Sequence, residues 1–309
     1  MNNSDNSDVV SKYLVLSDDA CKYLNVDNTS ITPLYKTTHN NLLFRILRKI
    51  CLKFNIFSSI FLGNWFKKKQ YKNIILFDTG NAQYIINILK YRYPSSRIIL
   101  WYWNPIIKSI PLEKIDKKKC EVWSYSPLDC NKYNLRENTQ FFAFPSKRIE
   151  IDPQIVNDVY FVGVDKNRSL LLSKLKTLFL KQGISFKFVL VRYKKSNSNG
   201  ITYSKPISYQ ESLQNLKESK CVLDIVDNTQ KSATTLRVFE AYFYKKKLIT
   251  NDSSIVNLKI YHPSNIFILG KDDIENIKQF IHSDFTEIRS FNLKYYDYYS
   301  WLNRFEIKK

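Results

Sequence analysis

Glycine and proline are scarce in this chain, with 6 and 9 among 309 residues. So few turn-forming residues argue against a sandwich of many short strands and exclude collagen-like and low-complexity classes. The five cysteines, Cys21, Cys51, Cys120, Cys130 and Cys221, are scattered, odd in number, and form no CxxC pair. With only three histidines besides (His39, His262 and His282), no structural zinc site is legible. Unpaired thiols fit a reducing compartment. The opening residues, Met1-Asn2-Asn3-Ser4-Asp5, are polar and acidic, unlike a secretory leader. The longest apolar run, Phe54 to Phe66, is broken by polar residues and falls short of the roughly 18–20 that cross a bilayer. The expectation is a cytoplasmic protein that at most rests on the inner face of the plasma membrane.

What the chain has in excess is positive charge: 48 Lys and Arg against 28 Asp and Glu, a formal net charge of +20. Nucleic acid, anionic lipid and a phosphorylated ligand all suit that balance, and so does a lysine-rich solvated surface. With 44% hydrophobic and 15% aromatic residues the chain can bury a sizeable core. Its length suggests two domains.

Short β-branched runs alternate with longer stretches of helical spacing. Strands are expected at 12–16, 73–77, 97–102, 121–124 and 140–143. Between the second and third, Ala82, Ile85, Ile86 and Leu89 recur on one helix face. Pro145 and Pro153 bracket a polar stretch, after which the rhythm restarts. Strands are expected at 158–163, 185–190, 221–225 and 247–250, with helices at 169–180, 208–218, 234–244, 272–281 and 291–305. Ser208 and Glu211 form a capping box at the start of one of these helices. Near-continuous apolar strands separated by amphipathic helices indicate α/β architecture with parallel sheets covered on both faces. The domains expected are 1–145, a linker at 146–156, 157–285, and a final segment 286–309 that returns to the first domain.

Ligands of doubly wound sheets bind beyond the carboxyl ends of the strands, so residues there are the candidates. Gly163-Val164-Asp165-Lys166-Asn167-Arg168 supplies a glycine, two cations and a helix start, which suit an anion. The stretch from Asp224 to Glu240 also runs from a strand end into a helix, with Thr234 or Thr235 as its cap. Arg237 falls in the first helical turn and Glu240 three residues on, so both project from one face. An arginine at that place suits a phosphate and a carboxylate one turn further can accept both hydroxyls of a ribose. Taken alone, the two also fit an i,i+3 ion pair.

The run Thr235-Leu236-Arg237-Val238-Phe239-Glu240-Ala241, followed by Lys246-Lys247-Leu248-Ile249-Thr250-Asn251, resembles the donor-site helix of bacterial GT-B glycosyltransferases. The likeness is to lipopolysaccharide and capsule biosynthesis transferases, with CgeB-like relatives. It extends over the second half of the chain: Tyr160 to Gly163 with Asp165, Lys166 and Arg168, then Tyr209, Leu223-Asp224-Ile225, and Tyr261 to Ile266. Ser232-Ala233 stand where the family usually has a glycine. The resemblance implies two Rossmann-like domains facing each other across a cleft, with a nucleotide-diphosphate sugar in the second and a glycan or lipid-linked glycan acceptor in the first. The diphosphate would fall to Arg237 and the ribose to Glu240. No cofactor is implied, and no Asp-x-Asp metal motif stands in a suitable loop, so the cations and helix ends would neutralise the leaving diphosphate.

In the first half, Asp78 ends an apolar strand and can act as general base or cap the next helix. His39 is the other candidate base, or a cap. Trp103 and Asn104 follow the next strand and can line an acceptor pocket; core filling is the other use of the tryptophan. The segment 44–69 interleaves cations with bulky apolar residues. It reads either as an element lying on an anionic leaflet or as a core-facing helix with a basic outer side. Two rival functions stay open: a sugar-nucleotide epimerase of similar architecture, and a basic nucleic-acid-binding protein. No RRM, KH, zinc-finger or helix-turn-helix pattern supports the latter, and no nucleic acid is expected.

Overall fold

The structure, a computed structural model, describes residues 12–18, 31–36, 41–67, 70–142, 154–194, 196–226, 235–288 and 293–306. The chain divides into two compact units, Met1–Arg148 with Lys294–Lys309, and Ile149–Leu293. Each is built on a six-stranded parallel sheet.

In the first unit β1 (Tyr13–Ser17), β2 (Ile31–Pro33), β3 (Asn73–Phe77), β4 (Arg97–Tyr102), β5 (Glu121–Ser124) and β6 (Arg136–Glu137) pair in the order β2-β1-β3-β4-β5-β6. Every residue of β1 and β3 is buried, because helices cover both faces of a parallel sheet and leave no strand side for water. The helices before and between these strands are α1 (Leu42–Phe54), α2 (Ser58–Phe61), α3 (Ala82–Arg92) and α4 (Pro127–Tyr133). Ala82, Ile85, Ile86 and Leu89 of α3 are buried, at the spacing read from the sequence.

In the second unit the strands are β7 (Asn157–Val164), β8 (Phe186–Val191), β9 (Tyr203–Ser204), β10 (Ser219–Asp224), β11 (Lys247–Thr250) and β12 (Ile266–Ile268). Their order, β12-β11-β10-β7-β8-β9, is that of a dinucleotide-type doubly wound sheet, in which the third, second and first strands are followed by the fourth, fifth and sixth. Helices α5 (Ser169–Gln182), α6 (Tyr209–Lys217), α7 (Leu236–Phe243) and α8 (Ile277–His282) connect or flank them. Gly183, at φ 68°, ends α5 in the left-handed conformation that glycine adopts without strain. The Ser208 hydroxyl accepts from the Glu211 amide at the start of α6, as the capping box requires.

The last helix, α9 (Tyr298–Arg304), belongs to the first unit. Trp301 is fully buried against Phe141 and Trp101, with ring centroids 4.4 and 5.6 Å away. Arg97 donates to both oxygens of Glu121 at 2.7 Å and to the Phe305 carbonyl at 2.7 Å, tying the chain end to the sheet.

Three expectations are corrected. Of the strand expected over 140–143, the described residues 140–142 form none: Phe142 makes one bridge, to Asp297, because the aromatic cluster around Trp301 holds this stretch beside the returning chain. The helix expected over 272–281 is split, a 3₁₀ turn at Ile274–Asn276 preceding α8. The helix expected over 291–305 is likewise a 3₁₀ turn, Leu293–Tyr296, and then α9. The segment 146–153 lies outside the described residues.

Candidate functional site

The strand order of the second sheet reverses direction between β7 and β10, so the loops that leave these two strands share one edge. An arginine follows each strand. Arg168, after β7, donates from Nε to the Ile225 carbonyl at 2.8 Å and from Nη1 to the Val164 carbonyl at 2.9 Å. Arg237, in the first turn of α7, donates from Nη1 to Asp224 Oδ1 at 3.2 Å and from Nη2 to the Val162 carbonyl. A Cβ placed on Gly163 would stand 3.3 Å from Arg168 Nη1 and 3.5 Å from Arg237 Nη2. The two guanidinium groups therefore meet over a glycine whose missing side chain gives them room.

Strand-end carbonyls and one carboxylate fix these cations, and Arg237 keeps a donor in reserve. A guanidinium has five N–H groups, and Arg237 Nε is buried with no acceptor. Asp224 is buried and accepts the Thr235 hydroxyl at 2.9 Å as well. Thr235 stands at the cap position of α7, but its side chain is committed to Asp224 and caps nothing. The first turn of α7 holds no acid either, so the positive end of its dipole is left for an outside anion. Thr234 lies outside the described residues, as do Ser232 and Ala233.

Glu240 is buried one turn deeper and accepts the Tyr209 phenol at 2.8 Å. Burial pushes its carboxyl above the usual carboxylate range, against the pull of Tyr209 and Arg237. Arg237 thus takes Asp224 as its ion-pair partner, and the i,i+3 pair with Glu240 is not formed. Asp165, also buried, accepts the Arg168 and Ser169 amides at 2.9 and 3.1 Å and the Tyr203 phenol at 2.7 Å. Burial raises its carboxyl, but these hydrogen bonds prevail and hold it below the usual range. Asp165 shapes the Arg168 loop, and Lys166 beside it is exposed. The sequence did not point to Tyr203, nor to the carbonyls of Val162, Val164 and Ile225, since backbone acceptors carry no side-chain signature.

In the first unit, Asp78 ends β3. Its Oδ1 accepts the Trp103 amide at 2.8 Å, and its Oδ2 accepts Ser109 Oγ at 2.5 Å and Asn104 Nδ2 at 3.3 Å. Burial raises its carboxyl above the usual range, the donors from Ser109, Trp103 and Asn104 pulling the other way. It does not cap α3, whose cap residue is Asn81; instead it ties the end of β3 to the loop after β4. Trp103 packs on Phe141 and Phe77 at 5.1 and 5.5 Å, and Asn104 is exposed. His39 lies outside the described residues.

In segment 44–69, Phe61, Leu62 and Trp65 join the core of the first unit, but α1 turns little of its apolar face inward. Only Leu52 of α1 is buried, while Leu42, Leu43, Ile46, Leu47, Ile50 and Phe54 are exposed, Leu43 at 78%. At 100° per residue those six share one face, and that face is turned outward. The residues also missed by sequence reasoning are those of a cavity of about 620 Å³ at the end of β3, lined by Tyr35, Arg45, Arg48, Lys49, Gly80 and Asn81 among others.

Among the described residues no three or more His, Cys, Asp or Glu side chains gather where a metal ion could bind, and no helix is long and apolar enough to cross a membrane.

No family model matches the chain, and no curated relative matches its sequence. Among solved structures, a protein of Listeria monocytogenes assigned as a UDP-N-acetylglucosamine 2-epimerase is 7% identical, with 96% of this chain and 95% of that one covered at a TM-score of 0.45. An alpha1,3-fucosyltransferase is 10% identical, with 95% and 88% covered at a TM-score of 0.46. At such identity and score the matches decide nothing about the chemistry, which has to be read from the site.

Proposed function

We propose that the chain is a GT-B-type glycosyltransferase that moves a sugar from a nucleotide-diphosphate donor to a glycan or lipid-linked glycan, with the donor at the β7/β10 crossover. The observation that carries this reading is the meeting of Arg168 and Arg237 over Gly163, at the place where a doubly wound sheet offers strand ends and a helix start to a ligand. Two oriented cations beside the uncapped start of α7 suit a diphosphate. As the glycosidic bond to it breaks, they meet the growing negative charge without having to reorganise. In this reading no metal ion takes part. Glu240, seated behind Tyr209, is the group for the ribose.

The acceptor belongs to the first unit, where Asp78, Trp103 and Asn104 stand together at the ends of β3 and β4. The outward apolar face of α1, flanked by Arg45, Lys49 and Lys53, suits the surface of an anionic leaflet and would keep a lipid-linked glycan near the enzyme.

Calorimetry with UDP, GDP, CDP and TDP tests the donor site. Arg237→Ala should weaken the nucleotide that binds by about 1.5–3 kcal/mol, the scale of a hydrogen bond to a charged group. Undiminished affinity in a folded variant would remove Arg237 from the site. Following the cognate nucleotide-sugar then separates two chemistries: transfer releases the nucleotide, whereas a new sugar isomer still attached to it would make the protein an epimerase.

A further inference from the structure

The first sheet has its own reversal of strand order, between β1 and β3, and the 620 Å³ cavity opens at the ends of these two strands. Its volume is that of a small-molecule site. Arg45, Arg48 and Lys49 line it from α1, since offsets of three and four residues place them on one side of the helix. Asp18, at the end of β1, is the acid among the described lining residues, so three cations face one described carboxylate. None of the three cations forms an ion pair with a described residue.

The opposite wall is Thr79, Gly80 and Asn81, just ahead of α3. Asn81 is the cap residue of this eleven-residue helix, yet its side chain caps nothing, and the first turn contains no acid. Asn81 Nδ2 donates instead to Tyr35 Oη at 3.2 Å. The Tyr35 ring in turn carries the Arg48 guanidinium, whose Cζ lies 3.9 Å from the ring centroid. Arg48 is thereby oriented, and its Nε is buried with no hydrogen-bond partner. An uncapped helix start, a stacked arginine whose Nε has no acceptor, and two further cations with no ion-pair partner among the described residues face one volume.

We propose that this cavity binds a phosphate or diphosphate ester, a second anion site that stands without the donor-site reading. Gly80 supplies a sharp test. A Cβ there meets nothing within 4 Å, and Gly80 is not among the positive-φ glycines, so Gly80→Ala and Gly80→Asp fit without strain while only the latter adds a charge.

The probe is inorganic pyrophosphate, titrated into the full chain by calorimetry at low salt. Two binding events are expected, one lost in Arg237→Ala and the other in Gly80→Asp. Arg45→Gln with Lys49→Gln should weaken the second event about tenfold or more, the loss expected when charged hydrogen bonds are removed; Gly80→Ala should leave it unchanged. Competition with dihexanoyl phosphatidic acid against dihexanoyl phosphatidylcholine identifies the source of the ester. Displacement by the acid alone assigns a lipid phosphate, and no displacement a soluble one. A single event removed by Arg237→Ala, or a second event indifferent to Gly80→Asp and to the Arg45/Lys49 pair, overturns the proposal; loss of the Arg237 event alone bears only on the donor site.

Discussion

The two strand-order reversals handle positive charge differently. At β7/β10 the arginines are held from behind: carbonyls of Val162, Val164 and Ile225 and the buried Asp224 fix them before any ligand arrives. At β1/β3 Arg45 and Lys49 are exposed and without ion-pair partners among the described residues, and Arg48 is steadied by the Tyr35 ring. Fixing side chains in advance spares a ligand their ordering entropy and sharpens geometry. Leaving them loose gives attraction with little preference for shape. Cations at corresponding places in two sheets thus differ in how far the fold fixes them beforehand.

Removing the support at one site and the charge at the other should break that symmetry most. Asp224→Ala leaves Arg237 and Thr235 without their buried acceptor. It should cost the second unit about 3 kcal/mol, toward the low end for breaking a buried pair because Arg237 is partly exposed. Arg45→Gln with Lys49→Gln should stay within about 0.5 kcal/mol, as surface changes do. Urea unfolding followed separately for the two units reads both, and equal losses would erase the distinction.

Asp78 sharpens the comparison from within the first unit. Asp78→Ala strands the Trp103 amide and the Ser109 hydroxyl and should cost about 2 kcal/mol, the scale of unsatisfied buried donors. Asp78→Asn keeps the size. If the carboxylate also takes the acceptor's proton, kcat should fall about 10²–10⁴-fold with little change in melting temperature. Normal turnover by the asparagine variant would leave Asp78 as a strut alone.

Acid should weaken the second unit through Asp158 and Asp165. Burial opposes ionisation of both. The Lys220 and Ser185 hydrogen bonds to Asp158, and those of Tyr203, Ser169 and Arg168 to Asp165, prevail and lower both carboxyls. A depressed native value means the stabilisation is complete above about pH 4, the unfolded range, and is lost as pH falls through the native values. Asp158→Asn should flatten the acid limb of stability against pH; a limb of unchanged slope would assign the loss elsewhere.

Glu240 should act on the fold with the opposite sign. Its raised carboxyl means that ionisation costs stability near neutral pH and that the cost is relieved as pH falls. Glu240→Gln keeps a partner for Tyr209 and removes the buried charge, so it should leave stability unchanged or raise it by up to about 1 kcal/mol. Nucleotide binding should weaken. A variant less stable at neutral pH would show the carboxylate to be structural.

The sequence by itself determined the α/β class, the central strands and the helices between them. Buried parallel strands are apolar at nearly every position, as in β1, β3 and β4, and β7 and β10 hold shorter apolar runs at their centres. It also placed Gly163, Arg168, Arg237 and Glu240 at strand ends and helix starts, because those places follow from local periodicity. It did not disclose β2, β6, β9 and β12, which are two or three residues long at or near sheet edges, too short for any period to register. Nor could it say which side of α1 is buried: amphipathicity marks two faces, and only packing decides which one meets the sheet. Asp224 as the partner of Arg237, and the joining of Tyr35, Arg45, Arg48 and Gly80 around one cavity, were likewise decided by tertiary structure. Those residues are far apart in the chain, and the order in which parallel strands line up, rather than any local pattern, brings them to one edge.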